Sequence, residues 1–361
     1  MRLPKQGEVS DSMERRILDF GVNDTFESAA ERWAIHYPMP ISSNLVRRVI
    51  DRVGLRCEAA VSEAALQQAC RPAAAEPAPA LVVATDGSML LTREEAWREA
   101  KVAVVAHLQR FADDVAHHDV SSPRYAAVLG GKDEFSSAVA AALEVERADE
   151  VPLVAWLGDG APGNWTLASK LCPLALQILD VIHAFQHGHD CGKALLGEAD
   201  PALPLWDTRM QQLIDASQPD ALIRELLDCL PLTTTDGQLA ALDNLVAYFR
   251  TNEKRMQYVR FRELGLPVGS GIVESAHRHV LQARMKRAGQ RWSLTRGRRM
   301  ARLRAAYRTA GARRFHRVLL DATLVRTRRA PHMPLPNGPR RATHNYSLSR
   351  GSRLNRAAAS N

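Results

Sequence analysis

The segment Leu266-Pro-Val-Gly-Ser-Gly-Ile-Val-Glu-Ser-Ala-His-Arg-His279 organises the rest of this chain. Its proline and glycines end any preceding element, and Ser270 is a typical N-cap residue. Glu274 then falls in the first turn of a helix, where the helix dipole favours a carboxylate. The predicted helix has one apolar face, formed by Val273, Ala276, Val280 and Ala283.

The charge of the chain changes sign after Glu274. Residues 275–361 contain 22 Lys and Arg and a single acid, Asp321, whereas residues 1–274 contain 26 Lys and Arg and 39 Asp and Glu. Carboxylates can bind divalent metal ions, and a basic segment can bind phosphates. This division indicates metal-dependent chemistry on nucleic acid and predicts that residues 275–361 bind DNA through its phosphates.

Length and composition indicate a globular protein. A chain of 361 residues is long enough for a large core and for two domains with extensions. It has no run of about 18 apolar residues, and its N-terminus lacks the apolar core of a signal peptide. The five cysteines are scattered, without a C-x-x-C pair, which indicates reduced thiols. We expect a cytoplasmic, nucleoid-associated protein that does not contact membranes.

Residues 1–70 are predicted to form a small helical domain. Residues 1–24 are polar and are expected to be loosely ordered, whereas residues 25–54 predict two short helices. These helices could form a helix-turn-helix DNA reader, because the second carries Arg47, Arg48 and Arg52. The alternative is a plain helical hairpin that packs on the body of the protein.

Two apolar runs of strand length each end in an aspartate and a glycine. Residues 80–85 follow a proline and alanine linker at 71–79 and end in Asp86-Gly87, and residues 151–157 end in Gly158-Asp159-Gly160. A fully apolar strand is buried on both faces, and an acid at its end lies at the rim of the sheet. Asp86 and Asp159 are therefore candidate site residues, although an Asp-Gly pair after a strand is more often only a turn.

The remaining segments complete an α/β domain. Residues 80–200 hold its first part, which includes a strand at 101–108, antiparallel to the first, and further helices and strands. Residues 201–264 predict helices only, and residues 265–322 complete the domain with basic helices. Residues 323–361 are rich in Arg, Pro and Asn, so we expect a disordered basic tail.

Asp86, Asp159 and Glu274 could together serve two-metal phosphoryl transfer. This chemistry requires a few carboxylates around a pair of hard cations. Magnesium prefers oxygen ligands and retains several waters, so two or three protein carboxylates suffice. The expected cofactor is therefore a pair of Mg²⁺ (or Mn²⁺) ions.

Six motifs, three of which contain these acids, occur in order along the chain. They are Thr85-Asp-Gly-Ser88, Leu157-Gly-Asp-Gly-Ala161 with Trp165, Ile178-Leu-Asp-Val-Ile-His183 with His187, Tyr248-Phe-Arg-Thr-Asn252 with Arg255-Met256, Gly265-Leu-Pro-Val-Gly-Ser-Gly-Ile-Val-Glu-Ser275, and Met285-Lys-Arg-Ala-Gly-Gln-Arg-Trp-Ser293. Together they resemble the DDE transposases of bacterial insertion sequences in the Kra group, relatives of the eukaryotic Mutator-like enzymes. The resemblance covers residues 25–317.

The resemblance implies a ribonuclease-H-like catalytic core with an all-helical insertion between the second aspartate and the glutamate. It also implies that Asp86, Asp159 and Glu274 are the catalytic and metal-binding triad. The intervals of 73 and 115 residues fit, because the second can hold an insertion at 201–264. We expect this insertion to position DNA over the acids; the alternative is that its helices only cover one face of the sheet.

The implied activity is transposition, that is, metal-dependent cleavage and strand transfer at the ends of a mobile element. Water first attacks a phosphodiester, and the freed 3′-hydroxyl then attacks target DNA. The implied partners are the element ends, the target DNA and further copies of the chain assembled on DNA. The alternatives are a non-transposase nuclease of the same fold and an inactive DNA-binding derivative.

Two features depart from the family pattern. The relatives carry a bulkier residue where Gly163 stands, and the chain is shorter at its N-terminus than the family predicts. The second departure would remove part of a DNA-binding region, which affects the expectation of complete transposition more than that of the active-site chemistry.

The resemblance marks Asp180 and His183 as a characteristic D-x-x-H motif. A zinc site is an alternative reading of this region, because His187, His189 and Cys191 follow. No second ligand cluster with matching spacing is visible, so a structural role beside the acidic site is favoured.

The candidate DNA contacts surround Trp292. An aromatic ring amid arginines can stack on an unpaired base, whereas the alternative is a core tryptophan. The basic candidates are Arg284, Lys286, Arg287, Arg291, Arg298 and Arg299.

Overall fold

Five strands form one mixed sheet in the order β3-β2-β1-β4-β5. They are β1 (Leu81–Leu91), β2 (Trp97–Phe111), β3 (Asp114–Val128), β4 (Val154–Gly158) and β5 (Leu176–Leu179). The antiparallel neighbours β1, β2 and β3 follow one another along the chain, whereas β4 runs parallel to both β1 and β5. This computed structural model describes residues 9–59, 63–74, 76, 78–111 and 114–318.

β1 continues beyond the point where its partner β4 ends. The pairing with β4 runs from Leu81 opposite Val154 to Ala84 opposite Leu157, while the pairing with β2 continues to Leu91. The prediction that the first strand ends at Asp86 is therefore wrong. Because β2 supplies hydrogen bonds along the whole of β1, the strand persists, and Asp86 lies within it just after the last β4 pair.

The edge strand β3 was not predicted from the sequence. It contains Pro123, which lacks an N–H to donate and is tolerated at a sheet edge. It also contains Arg124, which is fully buried. The Arg124 guanidinium donates to the Glu146 carboxylate and to the backbone oxygens of Gln67 and Arg71. A run with a proline and an arginine lacks the apolar pattern of a buried strand.

Helices make up most of the rest of the described chain. They are α1 (Asp11–Asn23), α2 (Phe26–His36), α3 (Ser43–Ala59), α4 (Glu63–Cys70), α5 (Lys132–Val145), α6 (Pro162–Leu171), α7 (Val181–Leu196), α8 (Leu203–Asp215), α9 (Pro219–Asp228), α10 (Asp236–Asn252), α11 (Tyr258–Glu263), α12 (Gly271–Ala276), α13 (Ala283–Met285) and α14 (Leu294–Ala310). A π-helical turn, His277–Gln282, joins α12 to α13, and residues 312–318 are also helical. None of the helices in the described part combines the length and apolar character needed to cross a membrane.

Helix α1 contradicts the expectation that residues 1–24 are loosely ordered. Ser10 caps it by accepting a hydrogen bond from the Met13 N–H, and its apolar residues Ile17 and Leu18 are buried. α1 packs on α3, and α14 packs on both α3 and α4. The described part of residues 1–70 therefore joins the core of the protein through contacts that include those with α14.

Arg52, one of the three α3 arginines expected to read DNA, is committed to a contact within the protein. Arg52 and Arg56 both form ion pairs with the carboxylate of Glu14, at 2.6 and 2.5 Å. Glu14 is buried, so these two arginines neutralise a charge that would otherwise be buried without a partner. The residues of 71–79 that the structure describes form neither helix nor strand.

The helices between Asp159 and Glu274 pack mainly on one another. α9 contacts both α8 and α10, and α8 and α10 also contact α7. Leu226, Leu242 and Phe249 are fully buried and belong to a core that is continuous with that of the sheet. These helices therefore share one hydrophobic core with the sheet. An insertion that moves as a separate unit would need a core of its own.

The helix after Ser270 departs from the predicted apolar face. Val273, Ala276 and Val280 are buried as expected, but Ala283 is exposed. The cause is the π-helical turn, which adds a residue to the turn and shifts the face. Leu281 and Arg284 take the buried positions instead. The predicted tail at 323–361 lies outside the described residues.

Candidate active site

Asp86 and Asp159 lie next to each other where the pairing of β1 and β4 ends. Ala84 is opposite Leu157, and each aspartate follows two residues later. Residues two apart on a strand project from the same face, so equal offsets from a paired position place both carboxylates on one side. The two aspartates line one cavity of about 360 Å³.

Hydrogen bonds hold Asp159 in a defined position. Its Oδ1 accepts from the Ala161 N–H at 3.0 Å and from Asn164 Nδ2 at 2.8 Å. Thr85 Oγ1, beside Asp86, donates to Asn164 Oδ1 at 3.0 Å. Asn164 thus links the two strands that carry the acids. Asn164 was not predicted from the sequence, because its link between β1 and the Asp159 loop leaves no local signal.

Tyr248 of α10 packs against the loop that carries Asp159. Its hydroxyl donates to the Asp159 backbone oxygen at 3.1 Å, and its ring lies 4.1 Å from that of His187. Gly160 has φ +97°, and a Cβ there would lie 2.5 Å from Tyr248 Cε2. The sequence motif therefore needs glycine at 160 both for its backbone conformation and for the close approach of the tyrosine.

Asp86 is held beside a buried histidine. Its Oδ1 accepts from the Gly87 N–H at 2.6 Å, and its Oδ2 lies 3.6 Å from His277 Nε2. Burial raises the pKa of Asp86, and the charge of Asp159 raises it further, against the opposing effect of His277. Burial lowers the pKa of His277, whose Nε2 is inaccessible to solvent and has no hydrogen-bond partner among the described residues.

Glu274 is oriented by Ser270. The Ser270 hydroxyl donates to Glu274 Oε1 at 2.6 Å, so it binds the carboxylate and does not cap a backbone N–H. Asp86 and Glu274 line a second cavity of about 390 Å³, together with Arg278. Asp86 therefore borders both cavities, with Asp159 in one and Glu274 in the other.

Asp180 ties this segment to the N-terminus of α7. Its buried carboxylate accepts from the Ile182 N–H at 2.9 Å, from the Ser270 N–H at 3.2 Å and from His183 Nδ1 at 2.5 Å. Burial would raise the pKa of Asp180, but these hydrogen bonds together outweigh it and lower the pKa. The hydrogen bond to Asp180 raises the pKa of His183. The D-x-x-H motif thus anchors the loop that presents Glu274.

The residues of the alternative zinc site have other partners. His183 binds Asp180, His187 stacks on Tyr248, and His189 Nδ1 pairs with Asp207 at 3.0 Å. Burial raises the pKa of the Cys191 thiol to about 11, so it is protonated at neutral pH. These contacts favour the structural role for this region.

Asp86 shares one cavity with Asp159 and another with Glu274, but the three acids do not form one ligand cluster. Carboxylate oxygens are the ligands that Mg²⁺ and Mn²⁺ prefer, so the donor chemistry fits such ions. In the described part of the chain, however, no group of three or more His, Cys, Asp or Glu side chains is close enough to hold a metal ion. A shared site for two metals therefore stays a proposal.

Two of the candidate DNA contacts are core residues in this structure. Trp292 is buried, and its Nε1 donates to the Met285 backbone oxygen at 3.0 Å. The Arg284 guanidinium, also buried, lies over the rings of Phe26 and Trp292 at 4.8 and 5.2 Å. Neither side chain can reach DNA here, because both fill the space between α13 and its neighbours.

The other candidates are more accessible. Lys286, Arg287, Arg291 and Arg298 are exposed, whereas Arg299 is only half-buried and is bound to Glu58 at 2.8 Å. Lys286 Nζ lies 3.3 Å from Ser88 Oγ, two residues beyond Asp86 on β1.

Comparison with known proteins gives one distant likeness. No family model matches the chain, and no curated protein matches it. One similar solved structure is a Drosophila P element transposase strand transfer complex, with 9% sequence identity and a TM-score of 0.42 over 84% of this chain and 93% of that chain. A likeness at this level assigns neither the fold nor the function.

Proposed function

We propose that this chain is a metal-dependent DNA-cleaving and DNA-joining enzyme of the DDE transposase type. The observation that carries the proposal is the position of Asp86, which shares one cavity with Asp159 and a second with Glu274. These are the three acids that the sequence motifs single out, although 188 residues separate the first from the last. The strand order supports a ribonuclease-H-like core for the fold.

Asp86, Asp159 and Glu274 would hold the divalent cations. When bound, such ions activate the attacking oxygen and stabilise the leaving oxygen in phosphoryl transfer. The residues around the acids keep each carboxylate in place, because Asn164 and Ser270 donate hydrogen bonds to Asp159 and Glu274.

Basic side chains around the acids support a nucleic-acid substrate. Lys101, Lys132 and Lys170 line the cavity at Asp86 and Asp159. Arg278 lines the cavity at Glu274, is exposed, and forms no ion pair with any residue that the structure describes. Such cations can neutralise the phosphates on either side of a scissile bond without specifying the sequence.

Lys286, Arg287, Arg291 and Arg298 extend this basic surface and are proposed as further phosphate contacts. The helices at 201–264 are proposed to hold DNA near the acids, and Tyr248 provides their contact with the Asp159 loop. Assembly of several copies on DNA is also part of the proposal, since transposition joins two element ends to one target.

The test is a reaction of the purified chain with DNA that carries the ends of its own element. With Mg²⁺, we expect nicks at the element ends and joined products with target DNA, and a chelator should abolish both. Cleavage without joined products would instead indicate a nuclease of the same fold. Tight DNA binding without cleavage in Mg²⁺ or Mn²⁺ would indicate an inactive derivative.

A further inference from the structure

One set of basic residues after Glu274 forms ion pairs and hydrogen bonds within the protein. Arg296, Arg299 and Arg302 on α14 form ion pairs with acids of α3 and α4, namely Asp51, Glu58 and Glu63. Arg304 is fully buried, and its guanidinium donates to backbone oxygens of α1 and of the π-helical turn. These side chains hold the N-terminal helices and are not free to bind phosphate.

A second set of arginines is exposed and has no partner among the residues that the structure describes. Arg313 and Arg317 lie on the helical segment 312–318, and their side chains form no hydrogen bond or ion pair with any residue that the structure describes. Arg15 of α1 is also exposed and without such a partner in the described part. These three arginines line one cavity of about 440 Å³, together with Arg16.

The walls of this cavity are aromatic as well as basic. Tyr37 and Phe20 line it, and the Arg16 guanidinium lies 5.2 Å from the centroid of the Tyr37 ring. Asp19 is the acid among the described lining residues, and it accepts a hydrogen bond from the Tyr307 hydroxyl. Arginines beside aromatic rings are the combination that binds phosphates together with sugars or bases.

The histidine that lines the cavity adds no positive charge to it, and the sequence after residue 318 is itself basic. Burial, followed by the charge of Arg15, lowers the pKa of His316, so this lining histidine is neutral at pH 7. Residues 319–361 contain eight arginines and one acid, and their charge has the same sign as that of the cavity. The four arginines therefore attract an anion from outside the chain.

We propose that this cavity, the α1 groove (Arg15, Arg16, Tyr37, Arg313 and Arg317), binds backbone phosphates of DNA. None of its lining residues lines either cavity at Asp86. The groove therefore binds a stretch of DNA other than the scissile phosphate. This inference rests on the proposed function only in taking DNA as the partner, and it names a contact that the acids do not provide.

The experiment measures the affinity of the full chain for a fluorescent duplex of about 30 base pairs at several salt concentrations. The slope of log affinity against log salt reports the number of DNA phosphates that the protein neutralises, since each contributes about 0.9 to it. The double variant Arg313→Gln/Arg317→Gln should lower this slope by about 1.8 and weaken binding by about tenfold. Arg15→Gln, on the opposite wall, should lower it by about 0.9. A matched control is Arg147→Gln/Lys193→Gln, two surface cations that are paired with Glu150 and Glu198 and lie outside every proposed DNA contact, which should leave the slope unchanged.

An unchanged slope in the groove variants, in a wild-type protein that binds DNA, would overturn the α1 groove and leave the proposed function intact. A lowered slope in a protein that never cleaves DNA would keep the groove and reject the proposed function. Inorganic phosphate and ATP at millimolar concentration separate the two sources of phosphate. Loss of ATP binding in the groove variants, without loss of DNA affinity, would identify a free nucleotide as the occupant and reject DNA.

Discussion

His277 Nε2 lies 3.6 Å from Asp86 Oδ2, a contact that was not predicted from the sequence. His277 follows Glu274 by one helical turn and begins the π-helical turn. It therefore connects the segment that carries the third acid to the strand that carries the first. π-Helical turns are frequent at functional sites, and this one contacts β2 and β3 as well as α14.

Replacement of Gly160 should destabilise the Asp159 loop. Gly160→Ala forces a side chain into a backbone conformation with positive φ and against the Tyr248 ring, so we expect a loss of about 1–3 kcal/mol in the free energy of unfolding. Gly163→Ala, three residues away, is the matched control, since a Cβ there meets nothing within 4 Å. Urea denaturation of the two variants tests this, and equal stabilities would contradict the role of Gly160.

Removal of the Ser270 hydroxyl should affect the reaction more than the fold. Ser270→Ala takes away the 2.6 Å hydrogen bond to Glu274, and a hydrogen bond to a charged group contributes about 1.5–3 kcal/mol, equivalent to about 10- to 100-fold in rate. The exposed neighbour Ser275 provides the control variant Ser275→Ala. Single-turnover cleavage rates should fall only in the first variant, and identical rates would show that Ser270 does not orient Glu274.

The Asp180–His183 pair should make stability depend on pH. The hydrogen bond to Asp180 raises the pKa of His183, so its stabilising effect is complete below the unfolded value of about 6.5 and is lost as pH rises through the folded pKa. Asp180 sets the lower end of this pH range. Its pKa is lowered in the folded protein, so its stabilising effect is complete above the unfolded value of about 3.9 and is lost as pH falls through the folded pKa.

The difference in unfolding free energy between the wild type and His183→Gln should therefore be largest between about pH 4 and pH 6.5 and should shrink at higher pH. Urea denaturation at one pH inside this window and at one well above it is the measurement. A difference that grows with pH would mean that His183 is not the charged partner of Asp180.

Replacement of Arg255 should lower the stability of the protein, whereas replacement of Arg250 should not. The Arg255 guanidinium donates to Gln177 Oε1 at 2.8 Å and lies 4.5 Å from the centroid of the Trp165 ring, so it joins the helices at 201–264 to β5 and α6. These contacts were not predicted from the sequence. Arg255→Ala should lower stability by about 1–3 kcal/mol, from the lost hydrogen bonds and cation–π contact. Arg250→Ala, at an exposed position on α10, should change it by less than about 0.5 kcal/mol.

Local patterns were sufficient to predict some elements and insufficient for others. The apolar runs before Asp86 and Asp159 predicted β1 and β4, because a strand buried on both faces needs continuous apolar residues. β3 was missed because Arg124 is buried through Glu146, a partner distant in sequence. α1 was missed because only three of its apolar residues supply the buried face, among many charged ones.

Some residues of the candidate site could likewise be predicted from the sequence, and others could not. Asp86 and Asp159 could be identified from their strands, and Glu274 from the helix start that follows Gly269. His277, Asn164 and Tyr248 could not, since each acts through a contact made only in the folded chain. The charge of residues 275–361 could not separate arginines available to DNA from structural ones, because several of these arginines pair with acids of the N-terminal helices.

The most direct test of the central claim compares four variants in DNA cleavage with Mg²⁺. Asp86→Asn, Asp159→Asn and Glu274→Gln should each lose all detectable cleavage while keeping wild-type DNA affinity and stability. Asp133→Asn is the control, because Asp133 is an exposed acid that lines the same cavity as Asp86 and Asp159. The account predicts wild-type cleavage for this control, whereas wild-type cleavage by any of the three triad variants would contradict it.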